Sequence, residues 1–132
     1  MTTSYEMFDL DRHYNMIAAW FAEWNYPILP RDLLPTKGVV VSLDGNIPSG
    51  YCGYLTDDKF CYLEGLIVVK GATEEDKGQI IPAIISAIRE RAALRGAKLL
   101  NYSTNNPKLL WRFIGMGFTA GDTGLTNIAR EV

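Results

Sequence analysis

Histidine is nearly absent from this 132-residue chain. His13 is the only one, which excludes a multi-histidine metal centre and leaves a Ser-His-Asp arrangement without a supporting motif. Cysteine is almost as scarce. Cys52 and Cys61 are too few for a disulfide framework and have neither C-x-x-C nor Cys/His metal spacing, so no metal is expected. They fall on segments that read as paired strands, where a bridge is conceivable. In a reducing cytosol, buried free thiols are the expected state. Charge of one sign is also missing: the net charge is −2 and no basic run is present, so no nucleic acid is expected as a partner. No segment approaches the ~20 apolar residues that span a bilayer. Met1 to Asp11 has neither the basic start nor the apolar run of a secretory leader. Membrane insertion and secretion are therefore not expected, and a cytoplasmic location is. Repeats, linkers and low-complexity stretches are lacking as well.

What is present is ordinary core-forming material. Hydrophobic residues make up 48% of the chain and charged residues 21%, far from the composition of disorder. The length suits one domain over residues 1–132.

Tyr5 to Leu10 alternates as a short first strand, and Asp9 or Asp11 offers an N-cap to the helix that follows. Ile17, Trp20, Phe21 and Trp24 recur at helical spacing and mark a core-facing stripe. Pro27, Pro30 and Pro35 then interrupt regular structure, leaving room for one helical turn around Arg31 to Leu34. Gly38 to Leu43 reads as a strand, turned by Asp44-Gly45-Asn46 into Ile47 to Leu55. Lys59 to Val69 makes the next strand, and its apolar run Leu66, Ile67, Val68, Val69 suggests burial on both faces.

Thr73-Glu74-Glu75-Asp76 has the form of a capping box. Ile80, Ile81, Ile84, Ile85, Ile88 and Ala92 give the following helix its buried face, with Arg89, Glu90, Arg91 and Arg95 outside. Pro82 removes a backbone donor, so the regular part is expected from about Gln79. Gly96 ends the helix, Ala97 to Thr104 reads as a buried strand, and Asn105-Asn106-Pro107 caps a helix from Lys108 to Met116. A last strand is expected from Phe118 to about Ile128. Strands first, then strand, helix, strand, helix, strand, predict an α/β (α+β) domain. Its central sheet is mixed, antiparallel at the N-terminal strands, with a C-terminal β-α-β-α-β unit.

From Tyr62 onward, YLEGLIVV and then AIISAIRERAALRGAKLLNYSTNNPKLLWRFIGMGF resembles the GNAT family of N-acetyltransferases over more than a third of the chain. The carriers are the buried strand, the helix ending Arg95-Gly96-Ala97, the Asn105-Asn106-Pro107 turn and the closing Gly117-Phe118. The resemblance implies a single GNAT-like domain that transfers an acyl group, typically acetyl from acetyl-CoA, to an amine-bearing small molecule or protein. It implies that acetyl-CoA lies between two splayed strands, here Tyr62 to Val69 and Ala97 to Thr104. Backbone at Leu66, Ile67, Val68 and Val69 then faces the pantetheine and thioester, where N–H groups stabilise the oxyanion. It further implies that Lys77, Gly78 and Gln79 meet the pyrophosphate at a helix start and that Asn106 contacts the cofactor or caps the next helix. Glu64, as a buried carboxylate with raised pKa, is the implied base, with pairing to an arginine as the alternative. Trp20, Trp24, Tyr26 and Tyr51 are candidates for an acceptor pocket, against ordinary packing for at least two of them.

Two features depart from the family pattern. Asp76, Gln79 and Ile81 stand where the family has arginine or glutamine, glycine, and glycine or alanine. Phe113 stands where many members have a proton-donating tyrosine, and Tyr102 is a loose substitute. These departures keep open a GNAT-fold protein without cofactor-dependent activity, acting on a protein partner, and below it a small-ligand module using the same cleft. The run LPTKGVVVSLDGNIPSGYCGYLTDDKFCYLEGLIVV looks like phage-borne examples, for which the location would be the host cytoplasm. An edge strand near the C-terminus gives a homodimer a route to form.

Overall fold

A computed structural model of the chain describes residues 2–121. They fall into two compact units, divided between Tyr102 and Ser103. The first unit runs β1 (Thr3–Met7), α1 (Leu10–Glu23), β2 (Gly38–Leu43), β3 (Ile47–Asp57), β4 (Phe60–Val68), α2 (Glu74–Leu94) and β5 (Leu99–Asn101). Its sheet has the order β1-β2-β3-β4-β5, antiparallel throughout except for the parallel β4–β5 pair. The second unit contains α3 (Pro107–Gly115).

Turn chemistry sets the meander. Asp44 at φ 47 and Gly45 at φ 105 close the β2–β3 hairpin, in left-handed conformations that aspartate tolerates and glycine adopts freely. Val39, Val40 and Val41 are fully buried, because successive strand residues point to opposite faces and both faces are covered. On one face Val40, Tyr51 and Ile67 are cross-strand neighbours and join Ile17, Trp20 and Phe21 of α1 in one cluster. The other face takes α2, which buries Ile80, Ile81, Ile84, Ile85, Ile88 and Ala92.

Asp9 is the N-cap of α1, and its side chain accepts from the N–H groups of Asp11 and Arg12. Behind it, the Asp9 N–H donates to His13 Nδ1 at 2.9 Å, and His13 Nε2 lies 2.9 Å from Glu6 Oε1. Since Nδ1 accepts, the ring proton is on Nε2 and points at the carboxylate.

Three expectations change. The Thr73 capping box starts α2 at Glu74, not near Gln79, and Pro82 lies within a continuous helix. The proline costs the intrahelical donor to the Gly78 carbonyl, but Gly78 is exposed, so that carbonyl faces solvent. The strand expected from Ala97 to Thr104 is β5, only Leu99–Asn101, with Leu99 exposed. Its ladder with β4 ends at Asn101. Of the expected last strand, 118–121 are not extended ladder and the rest lies outside the described residues. No described helix is long and apolar enough to cross a membrane.

Candidate active site

Parallel pairing joins Phe60 to Leu99, Cys61 to Leu100 and Tyr62 to Asn101, and goes no further. β4 continues to Val68. From Leu63 to Val68 it therefore has no strand partner on the β5 side among the described residues, and its outward peptide groups line an open edge. The β3–β4 register shifts at the same place. Gly53 pairs with Glu64 and Tyr51 with Ile67, so Gly65 and Leu66 together oppose Cys52. This bulge holds Gly65 at φ 72, a left-handed conformation that most side-chain-bearing residues adopt only under strain, and it re-aims the strand that follows.

Hydrogen bonds give the direction of the edge. The Val69 N–H donates to the Ser49 carbonyl on β3 at 2.9 Å, so by strand alternation the peptide groups of Val68 point away from β3. The Val68 carbonyl accepts from the Trp24 indole, Nε1 to oxygen 2.8 Å. Trp24 is placed by the end of α1. Asn25 at φ 57 reverses the chain, and its N–H and that of Tyr26 donate to the Ala22 and Phe21 carbonyls, the Schellman arrangement. Trp24 and Tyr26, on either side of that reversal, stack at 5.9 Å and 10°. Lys70 Nζ and Lys77 Nζ lie 5.8 and 5.7 Å from the Trp24 ring centroid, within cation–π range. Lys70 also donates to the Glu23 carbonyl at 3.2 Å, and Lys77 pairs with Glu74 at 3.4 Å.

Of the expected backbone donors, Ile67 and Val68 are buried while Leu66 and Val69 are half-buried. Glu64 directly precedes the bulge, but it is exposed and has no ion pair among the described residues, which corrects both the buried carboxylate and the arginine pair. The cause is its row on the sheet. Phe60 and Tyr62 share that face and are exposed too, since α1 does not cover this end.

At the start of α2 the Thr73 and Asp76 amides are taken up inside the capping box, at 3.1 and 3.0 Å. The Lys77 N–H already donates to the Thr73 carbonyl, so Gly78 and Gln79 fall within the helical ladder rather than in a turn. Glu74, Glu75 and Asp76 make the first turn acidic. Asn106 belongs to the second unit, where it caps α3 by accepting from the Lys108 and Leu109 N–H groups at 3.0 and 3.4 Å. Phe113 is buried edge-on to Phe118 at 4.9 Å, and Tyr102 is half-buried just past β5.

Trp20 and Tyr51 are core residues, leaving Trp24 and Tyr26 beside the edge. Tyr51 has a further property that residue types alone did not signal. Its hydroxyl is buried with no hydrogen-bond partner among the described residues, and burial, then the nearby Cys52 and Glu64 charges, hold its pKa far above the ordinary tyrosine value. Glycines from two strands make room for the ring. A Cβ would come within 3.0 Å of Cε1 at Gly38 and 2.6 Å of the hydroxyl at Gly53. The convergence of two glycines on one aromatic is the available signal, but it needs the register to be seen.

This order of strands, with its short β4–β5 ladder and its bulge, defines the class of fold: the chain has the α+β fold of the GNAT acetyltransferases. Glucosamine-6-phosphate N-acetyltransferase from Arabidopsis thaliana is similar with a TM-score of 0.73 at 5% identity, over 97% of this chain and 99% of that one. A GNAT family acetyltransferase from Streptococcus pneumoniae TIGR4 gives 0.71 at 15%, over 98% and 100%. N-acetylglutamate synthase from Neisseria gonorrhoeae, solved with coenzyme A and N-acetyl-glutamate, gives 0.66 at 18%, over 86% of this chain and 28% of that one. No family model matches the sequence. No curated protein is similar to it in sequence.

Proposed function

We propose that this chain transfers an acyl group, with acetyl-CoA the first donor to test, to the amine of a small molecule or protein. The observation that carries the reading is the open edge of β4: pairing with β5 ends at Tyr62 and Asn101 while β4 runs on to Val68. Extended amide-bearing chains bind such edges by main-chain hydrogen bonds. The fit to coenzyme A is uneven. The edge suits its pantetheine amides, whereas the acidic first turn of α2 opposes its phosphates, leaving Lys70 and Lys77 as the nearby cations.

The thioester supplies an activated carbonyl. The amine nitrogen attacks its carbon, a C–N bond forms, and negative charge develops on oxygen next to the outward-facing Val68 N–H. Glu64, at the bulge and open to solvent, takes the amine proton through water. The C–S bond then breaks and the thiolate takes a proton from solvent. Phe113 has none to give.

Addition of millimolar acetyl-CoA is expected to raise the melting temperature, because a ligand at ~100 times its Kd stabilises by about 2.7 kcal/mol. Absence of any shift removes the donor and ends this reading. If binding is seen, Glu64→Gln is expected to slow acetyl transfer, followed by mass spectrometry, without weakening binding.

A second reading is favoured by Glu74, Glu75 and Asp76 standing where an anion would approach: a GNAT-fold protein that has no cofactor and acts on a protein partner. One partner co-purifying at fixed stoichiometry, insensitive to coenzyme A, supports it.

A further inference from the structure

The most consequential contact at the open edge is one the chain makes with itself. Val68 directs its carbonyl away from β3, toward the side that β5 leaves unpaired, and that carbonyl is held by the Trp24 indole N–H at 2.8 Å. An extended ligand laid along this edge offers the same group, an amide N–H, to the same acceptor. We propose that Trp24 is the residue that controls entry to the β4 edge: its indole N–H stands in for the amide N–H of an incoming acyl carrier, which binds by exchanging with it. The proposal rests on the acyl-transfer reading above and adds to it the residue the carrier must displace.

Three features make the exchange feasible. Trp24 is the C-cap residue of α1, where the turn at Asn25 and Tyr26 is fixed by its own backbone bonds to Ala22 and Phe21. Its side chain can rotate without unwinding the helix. Trp24 is also only half-buried, with Tyr26 stacked on it and exposed, so the ring leaves through a solvent-facing surface. Finally, the Lys70 and Lys77 ammonium groups lie beside the ring. An anionic carrier draws on those cations and weakens their hold on the indole as it arrives, so phosphate and amide act together. A neutral pantetheine lacks the first of these and is a poorer opener than coenzyme A.

The test uses the full chain and coenzyme A, with binding measured by calorimetry and tryptophan emission. Trp24→Phe keeps an aromatic ring against the core and deletes the N–H. Because a neutral hydrogen bond has a small net worth, the variant is expected to bind coenzyme A roughly three- to tenfold more tightly than wild type. The wild-type emission is expected to change on saturation in a component that Trp24→Phe lacks. If both proteins bind with the same Kd and that component stays still, Trp24 is no gate, while the acyl-transfer reading stands. If neither binds at millimolar concentration, both fall together. Should Trp24→Phe fail to fold, wild type decides alone. Its three indole N–H resonances, from Trp20, Trp24 and Trp111, are assigned by substituting Trp20 and Trp111. Coenzyme A must move the Trp24 resonance for the proposal to survive.

Discussion

Gly50 of β3 and Ile80 of α2 occupy a space with room for one side chain. A Cβ on residue 50 would sit 2.5 Å from Ile80 Cγ2 and 3.0 Å from Ile84 Cδ1, and both isoleucines are fully buried. The bare backbone at Gly50 is what lets α2 rest directly on the sheet.

Gly50→Ala is therefore expected to destabilise the fold by about 1–3 kcal/mol, the usual cost of overpacking a filled core. Urea denaturation measures it. Adding Ile80→Ala should make the Gly50→Ala penalty smaller than in wild type, since the atom in the way is gone. Independent, additive effects would mean that α2 is not seated at this point.

Tyr51→Phe is expected to stabilise the protein by about 1 kcal/mol, because it removes a buried hydroxyl that has no partner among the described residues. It should also change the alkaline limb. Burial raises the folded pKa of Tyr51, so the unfolded chain gives up that proton first, and wild-type stability falls as pH rises past about 10. The variant should lose less there. Its remaining slope is expected from Cys52, Cys61 and Tyr54, whose pKa values burial also raises.

Acid should act through Glu6. Its hydrogen bond with His13, then the charge and hydrogen bond of Arg12, outweigh desolvation and lower its pKa. A depressed carboxylate contributes stability above its unfolded pKa, and this is lost as pH falls through the folded one. Glu6→Gln is expected to melt below wild type at pH 7 and to converge with it as pH drops below about 4. A constant difference across that range would show that Glu6 charge is not involved.

Charge at the start of α2 should tune donor affinity. Glu75 is exposed and lies outside the capping box, so Glu75→Lys leaves the helix start intact while removing an unfavourable charge. It is expected to tighten acetyl-CoA binding roughly two- to fivefold at low salt, with the gain shrinking at 0.5 M salt. No gain at low salt would place the phosphates elsewhere.

Much of this fold is legible in the residues because local chemistry dictated it. The glycine turn at Asp44-Gly45-Asn46, the Thr73 capping box, the isoleucine face of α2 and the Asn106 cap all act within a few residues of themselves. The failures were long-range. Pro82 looked like a late helix start because the strength of the cap and the exposure of Gly78 were not visible. Ala97 to Thr104 looked like a full buried strand because hydrophobicity cannot tell where β4 and β5 part. The strand position of Glu64 is legible, but its exposure depends on how far α1 reaches across the sheet. The helical spacing of Trp24 marks a packing or pocket aromatic, and nothing in it indicates a bond to Val68, 44 residues away.

The brevity of the β4–β5 ladder has a consequence for the energetics of opening. Cooperative local fluctuations cost least where few buried contacts and backbone bonds are broken, and β5 is attached through three residue pairs with Leu99 and Asn101 exposed. The β1–β4 meander, with its long antiparallel registers, holds the high free energies. Amide exchange should rank accordingly, fast on β5 and slow on β2 and β3. On the proposed acyl-transfer reading, the wall that the carrier pushes against is then the most weakly held strand of the sheet, able to yield while the meander beside it keeps its register.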